Sequence, residues 1–165
     1  YMTNKILFFL VLLGLLYFVY NFVYLKDVKI DKKSRNRLKN LKKIMKKIIL
    51  NLKKLYPKHQ GIQNVPVDIE IVALPKSSPY KVGYSLNKRT IYLCLDDTKD
   101  QNELYFVLLH EFAHFITKSI GHSKEYWNNF KLILRTAIKL NIYKYTNYKY
   151  NPKMYCNKLI DHTPI

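Results

Sequence analysis

The residues whose types and spacing could do chemistry lie in the run His110-Glu111-Phe112-Ala113-His114, with His122 eight residues further on. In an α-helix, positions i and i+4 share a face, so His110 and His114 can hold one metal ion between them. Glu111 then stands one step round the helix, beside a water bound to that metal. A catalytic zinc site needs three protein ligands and an open position for water. The helix must stop before a third ligand can turn back, and Gly121, directly before His122, supplies that stop. Glu125 is the rival for the third position. Zn2+ held in this way would polarise both the water and a substrate carbonyl. Glu111 would take the water's proton and later pass it to a leaving amine. The expected chemistry is peptide-bond hydrolysis on a protein or peptide substrate. His110, His114 and His122 are the expected metal ligands, and Glu111 the expected catalytic base.

Other polar residues have weaker claims. His59 and His162 have no partners at ligand spacing and read as solvent-exposed. Tyr150 or Tyr155 could donate to an oxyanion, but the chain has fifteen tyrosines to choose from. Asp96, Asp97, Asp100 and Glu103 are near enough in sequence to serve as acceptors for the ligand imidazoles.

The elements that must position these residues are legible in outline. Gln101–Ile120 reads as a helix apolar nearly all round, hence buried on several sides. Ser123 can cap the next helix, whose inner stripe is Tyr126, Trp127, Phe130, Ile133, Leu134, Ala137 and Leu140. Before the active helix, Val65–Leu74, Tyr80–Leu86 and Thr90–Leu95 read as strands, with a turn at Asn87-Lys88-Arg89. If Thr90–Leu95 is a sheet edge, an extended peptide could add to it as a strand. Residues from Asn141 onward are rich in Tyr and Lys and read as an irregular tail. The expected class is α+β: a zincin-like minidomain with a small antiparallel sheet, an active-site helix and a following helix. A transmembrane helix is expected in front of it.

Ile6 to Leu25 is a run of twenty residues broken only by Gly14 and Asn21. As a helix it would rise about 30 Å, the thickness of a bilayer's hydrocarbon core. Basic residues crowd the side after the run, so the positive-inside rule places the rest of the chain on the cytoplasmic or virion-interior side of a single-pass protein. The formal charge is +18. Residues 26–60 hold fourteen Lys/Arg against Asp27 and Asp31, whereas residues 61–165 hold fourteen against nine. Ser34 could cap a helix running to about Tyr56, with Leu38, Leu41, Met45, Ile48, Leu52 and Leu55 as one apolar stripe. That stripe would pack on the catalytic part, leaving the lysines to water, to anionic lipid or to nucleic acid. The organisation is therefore an anchor over 1–25 and a basic linker and amphipathic helix over 26–60. A zinc metallopeptidase domain over 61–145 and a tail over 146–165 follow. Cys94 and Cys156 are too few for a disulfide scaffold; free thiols in a reducing setting are the simpler reading, and a single bridge is the alternative.

The motif His110-Glu111-Phe112-Ala113-His114, followed by Gly121-His122-Ser123-Lys124-Glu125-Tyr126-Trp127, resembles the SprT-like and WLM zinc metallopeptidases over about residues 65–142. That family places a third His in a Gly-His-x-x-Glu-aromatic context at the opening of the next helix. The resemblance implies His110, His114 and His122 as ligands, Glu111 as base and Glu125 as a helix-start residue. It also implies substrates among DNA-bound or DNA-crosslinked proteins. The alternative outside enzymology is an anchored basic module that binds lipid or nucleic acid, with the histidines incidental.

Overall fold

The computed structural model describes residues 11–17, 31–74, 82–95 and 101–165. It divides into two units, Tyr1–Asp31 and Lys32–Ile165. In the first, residues 11–17 are helical, and the rest of the expected membrane span, 6–10 and 18–25, lies outside the described residues. Among the described residues no helix is long and apolar enough to cross a membrane. The expected transmembrane helix over Ile6–Leu25 is therefore not upheld. The single-pass, cytoplasmic or virion-interior placement that rested on it falls with it.

The second unit opens with α1 (Lys32–Leu55). Leu38, Leu41, Met45, Ile48, Ile49 and Leu52 are buried along one stripe, and Lys39, Lys42, Lys43, Lys46 and Lys47 face outward. This is the 3.6-residue period at work: spacings of three and four keep the apolar side chains on one face. The stripe packs against the first strand and the last helix of the unit. The helix begins two residues before Ser34, which lies inside the first turn and is not its cap.

After Pro57 a single turn, α2 (Gln60–Asn64), is capped by His59, whose Nδ1 accepts from the Ile62 amide at 3.2 Å. Its other ring nitrogen, Nε2, lies 3.0 Å from Asn129 Oδ1. Because Nδ1 accepts, the proton sits on Nε2 and is donated to Asn129. His59 is thus half-buried and structural, not the solvent-exposed residue its isolation in sequence suggests.

Strands β1 (Glu70–Ala73), β2 (Gly83–Leu86) and β3 (Thr90–Leu93) form one sheet in the order β1-β3-β2. β1 runs parallel to β3, with Ile71 opposite Ile91 and Ala73 opposite Leu93; β2 runs antiparallel to β3. The sheet is therefore mixed, not the antiparallel sheet expected. Its central strand is β3, paired on both sides, so β3 offers no edge to a peptide. Val65–Ile69, expected as strand, is instead the connection out of α2, whose last turn Val65 closes through its amide to Ile62 O. The β2–β3 turn falls where the sequence places it, with Asn87 and Lys88 at φ 50° and 52°.

Two helices follow: α3 (Gln101–Ile116) and α4 (Lys124–Lys139). α3 packs against β2, β3, α2 and α4. Eleven of its sixteen residues are buried, which its all-round apolarity requires. The residues after Asn141 are not an irregular tail. Tyr143 and Tyr148 are buried against Phe106, and β4 (Lys153–Tyr155) pairs with β5 (Lys158–Ile160) as a hairpin. Cys94 and Cys156 are joined by a disulfide that ties the end of β3 to the turn of that hairpin. The free-thiol expectation fails because the fold returns the two sulfurs, at a sequence separation of 62, to one place.

Candidate metal centre

His110 and His114 leave α3 on one face, as the i, i+4 spacing demands. The helix stops at Ile116, four residues earlier than its apolar run suggests. Several groups absorb the exposed backbone at that end. Thr117 Oγ1 donates back to Ala113 O at 2.7 Å, and Lys88 Nζ donates to Thr117 O at 2.6 Å, a cation at the negative end of the helix. Asn129 Nδ2 donates to Ile116 O and Thr117 Oγ1. Gly61 has to be glycine here, because a Cβ would lie 2.1 Å from Ile116 O.

The turn 117–123 then carries His122 back to the helix. Glu125 holds it: its carboxylate accepts from the Lys118 amide at 3.0 Å, the Ser119 amide at 3.1 Å and Ser119 Oγ at 2.8 Å. These bonds, the Lys118 amide first, lower the Glu125 pKa to about 2. With its oxygens engaged in this way, Glu125 clamps the turn and does not join the histidines. Gly121 takes φ +73° within the turn, a left-handed conformation that glycine adopts without Cβ strain. Ser123 caps α4 by accepting from the Tyr126 amide.

One ligating nitrogen from each of His110, His114 and His122 lies within 4.8 Å of the others. Nε2 of His110 and Nε2 of His122 are 3.1 Å apart. Two nitrogens bound tetrahedrally to zinc at about 2.0–2.1 Å stand about 3.3 Å from each other. The donor set, three imidazoles converging on one point, therefore fits a zinc ion. His110 and His114 are half-buried and His122 is exposed, so the cluster is open to solvent on the His122 side.

The electrostatics suit the same use. Burial, with the neighbouring imidazoles second, lowers His110 to about 3 and His114 to about 4; burial also lowers His122. All three rings are thus neutral near pH 7 and present lone pairs. Glu111, only 8% exposed, is raised to about 7 by burial, with the Lys158 charge opposing.

Four residues near the site were not marked by the sequence as part of it. Tyr126 is fully buried against all three histidine rings, at 4.5–5.3 Å between ring centres, and donates from its hydroxyl to His110 O. Burial, then Glu111, raises its pKa. Trp127 packs on His122 at 5.5 Å, and His162 packs edge-on against Trp127 at 5.1 Å. Lys158 acts electrostatically on His110, Glu111 and His122. The Gly-His-x-x-Glu-aromatic context pointed to Tyr126 and Trp127 only as helix-core residues; for Lys158 no sequence pattern exists.

The other candidates among the described residues do not come to the site. Tyr155 donates its hydroxyl to Cys94 O, and Tyr150 is 82% exposed with Lys149 over its ring. Glu103 is buried near Tyr143 and Tyr148, two helical turns before His110. Asp96, Asp97 and Asp100 lie outside the described residues.

The chain is 35% identical over 101 residues to the uncharacterised protein 136R of Invertebrate iridescent virus 6, covering 57% of this chain and 52% of that protein. It is 35% identical over 78 residues to the uncharacterised protein R325 of Acanthamoeba polyphaga mimivirus, covering 44% and 40%. It is 38% identical over 66 residues to the uncharacterised protein 042R of Invertebrate iridescent virus 3, covering 37% and 42%. The chain thus spans about half the length, or less, of the curated relatives it matches. No family profile matches it, and no solved structure matches it.

Proposed function

We propose that this chain is a zinc-dependent peptidase, with His110, His114 and His122 as ligands and Glu111 as general base. The observation that carries this reading is the convergence of three neutral imidazoles beside a buried glutamate on the same helix. Burying these groups together is costly to folding, and metal ligation would offset that cost. When bound, zinc supplies a Lewis acid and lowers the pKa of its water. Glu111 takes the water's proton, and a pKa near 7 matches a base that must then return the proton to the leaving amine at neutral pH. Tyr126 fixes the helix backbone at His110 and walls the rings from water. The resemblance to SprT-like and WLM peptidases rests on the motif residues and supports the same chemistry.

The test is zinc content and cleavage of an unfolded protein substrate by residues 32–165. The expectation is about one zinc per chain, activity lost to chelator and restored by zinc, and zinc retained but activity lost in Glu111→Gln. Cleavage that survives both chelation and Glu111→Gln would refute it. The outward face of α1, with Lys39, Lys42, Lys43, Lys46 and Lys47 exposed, favours nucleic-acid-associated protein substrates as a second reading. That reading requires cleavage stimulated by DNA and lost steeply with salt.

A further inference from the structure

Two of the three candidate ligands are placed by a rigid element, and the third is not. His110 and His114 leave α3, most of which is buried. His122 is exposed, in the turn 117–123, where neighbouring Ile120 is wholly exposed. Glu125 fixes the backbone of that turn at Lys118 and Ser119, but two side-chain torsions still separate the His122 backbone from its ring. The ring's hydrogen bond among the described residues is the one between its Nε2 and His110 Nε2. These two nitrogens are the pair whose spacing fits a zinc ion, so that bond gives way when a metal takes their lone pairs. A ligand histidine ordinarily has its ring held by a hydrogen bond from its other nitrogen. His122 has ring packing instead. Tyr126 lies 4.6 Å from it between ring centres, but is shared with His110 and His114. Trp127 lies 5.5 Å from it, with 38° between the ring planes. Among the described residues Trp127 makes a ring contact with His122 and with neither of the other two ligands.

The indole is itself held from two parts of the chain. On α4 it packs against Tyr126 at 5.2 Å and Phe130 at 6.4 Å. From the C-terminal segment, His162 meets it edge-on at 5.1 Å. That segment is pinned on both sides of His162. Before it, β5 pairs with β4, and the turn of that hairpin is bridged through Cys156 to Cys94 at the end of β3. After it, Thr163 Oγ1 accepts from the Tyr148 amide at 3.0 Å and donates to Thr146 O at 2.9 Å. A tryptophan offers a large flat face with only two side-chain torsions to fix, so it orders a neighbour at little entropic cost. Resting on the metal-binding half of the zinc-peptidase reading above, we propose that Trp127, backed by His162, is a positioning residue that holds the ring of His122 where its Nε2 meets the metal. It acts through His122 and not on the metal itself. The opposing account makes Trp127 a packing residue of α4 and nothing more, and the experiment separates the two.

The test is a double-mutant cycle on zinc affinity in the full chain, read by competition with a chromogenic chelator. Trp127→Ala, Trp127→Phe and His162→Ala are each made with His122 present and in the His122→Ala background. Loss of an outer partner of a ligand histidine costs about 10- to 100-fold in metal affinity; a packing contact in place of a hydrogen bond belongs at the lower end, about 10-fold. The expected result is that loss in Trp127→Ala when His122 is present, and no loss when it is absent. Trp127→Phe should recover most of the affinity, and His162→Ala should show a smaller loss with the same dependence on His122. If Trp127→Ala does not fold, His162→Ala carries the same test, since its ring is exposed. Trp127 is also the chain's one tryptophan, so its emission reads the contact directly. Zinc should change the emission of wild type and leave that of His122→Ala unchanged. Unaltered zinc affinity in both Trp127→Ala and His162→Ala would overturn the assignment while leaving the zinc site intact. So would an equal loss with and without His122, which would make Trp127 a packing residue only. A wild type that binds no zinc would overturn this assignment and the peptidase reading together. One that binds zinc through His122 and Trp127 as described, yet cleaves no peptide, would overturn the peptidase reading alone.

Discussion

Replacing Glu111 by Gln should make the metal-free protein more stable at neutral and alkaline pH and should remove the peptide hydrolysis proposed for the zinc-loaded protein. The carboxyl is 8% exposed, and burial raises its pKa from 4.5 to about 7. A raised carboxyl pKa means that the fold disfavours the charged form. Below pH 4.5 both folded and unfolded chains carry the proton, and Glu111 costs nothing. Between 4.5 and about 7 the unfolded chain releases the proton while the folded chain keeps it, so stability falls as pH rises. Above about 7 the cost is complete. At about 1.4 kcal/mol per tenfold step it amounts to about 3 kcal/mol. Gln keeps the shape and has no such cost. The histidines also titrate in this range, in the opposite sense: their lowered pKa values remove stability as pH falls below 6.5. They are common to both proteins and cancel in the difference. Urea unfolding of chelator-treated wild type and Glu111→Gln should therefore show a gap that widens by about 2 kcal/mol between about pH 5.5 and 8.5. A gap independent of pH would refute the reasoning, because it would mean that Glu111 is solvated or already paired in the folded chain.

Three further outcomes are expected. His110→Ala and His122→Ala should each weaken zinc binding by more than the about 10- to 100-fold that loss of an outer-shell partner costs, read by competition with a chromogenic chelator. Only His110→Ala should also disturb packing, because His122 is exposed. Gly61→Ala should destabilise by about 1–3 kcal/mol, as overpacking does. Its Cβ would meet Ile116 O at 2.1 Å, so urea titration should reveal the loss. Reducing the Cys94–Cys156 bridge, which closes a loop of sequence separation 62, should cost about 4 kcal/mol on the chain-entropy account. It should also free the hairpin carrying Lys158; a thermal scan with and without reductant reads the first effect.

How far sequence reaches into this protein follows from which interactions are local. The i, i+4 pair His110 and His114, the cap Ser123, the stripe of α1 and the turn at Asn87-Lys88-Arg89 depend on neighbours within one or two helical turns or one hairpin. Their periods and residue types were therefore readable directly. Tertiary structure decided the rest. The end of α3 at Ile116 is set by Lys88, Gly61 and Asn129, which come from three other elements, so no local pattern could mark it. The return of His122 depends on a turn that Glu125 holds by three bonds, a role indistinguishable in sequence from that of a ligand. β3 became central because β1 pairs with it in parallel, and strand order carries no signature in single strands. The Cys94–Cys156 bridge and Lys158 lie more than thirty residues of sequence from the groups they touch or act on. Their meeting is a property of the folded chain alone, since loop closure over such distances is fixed by the whole core and not by the residues at its ends.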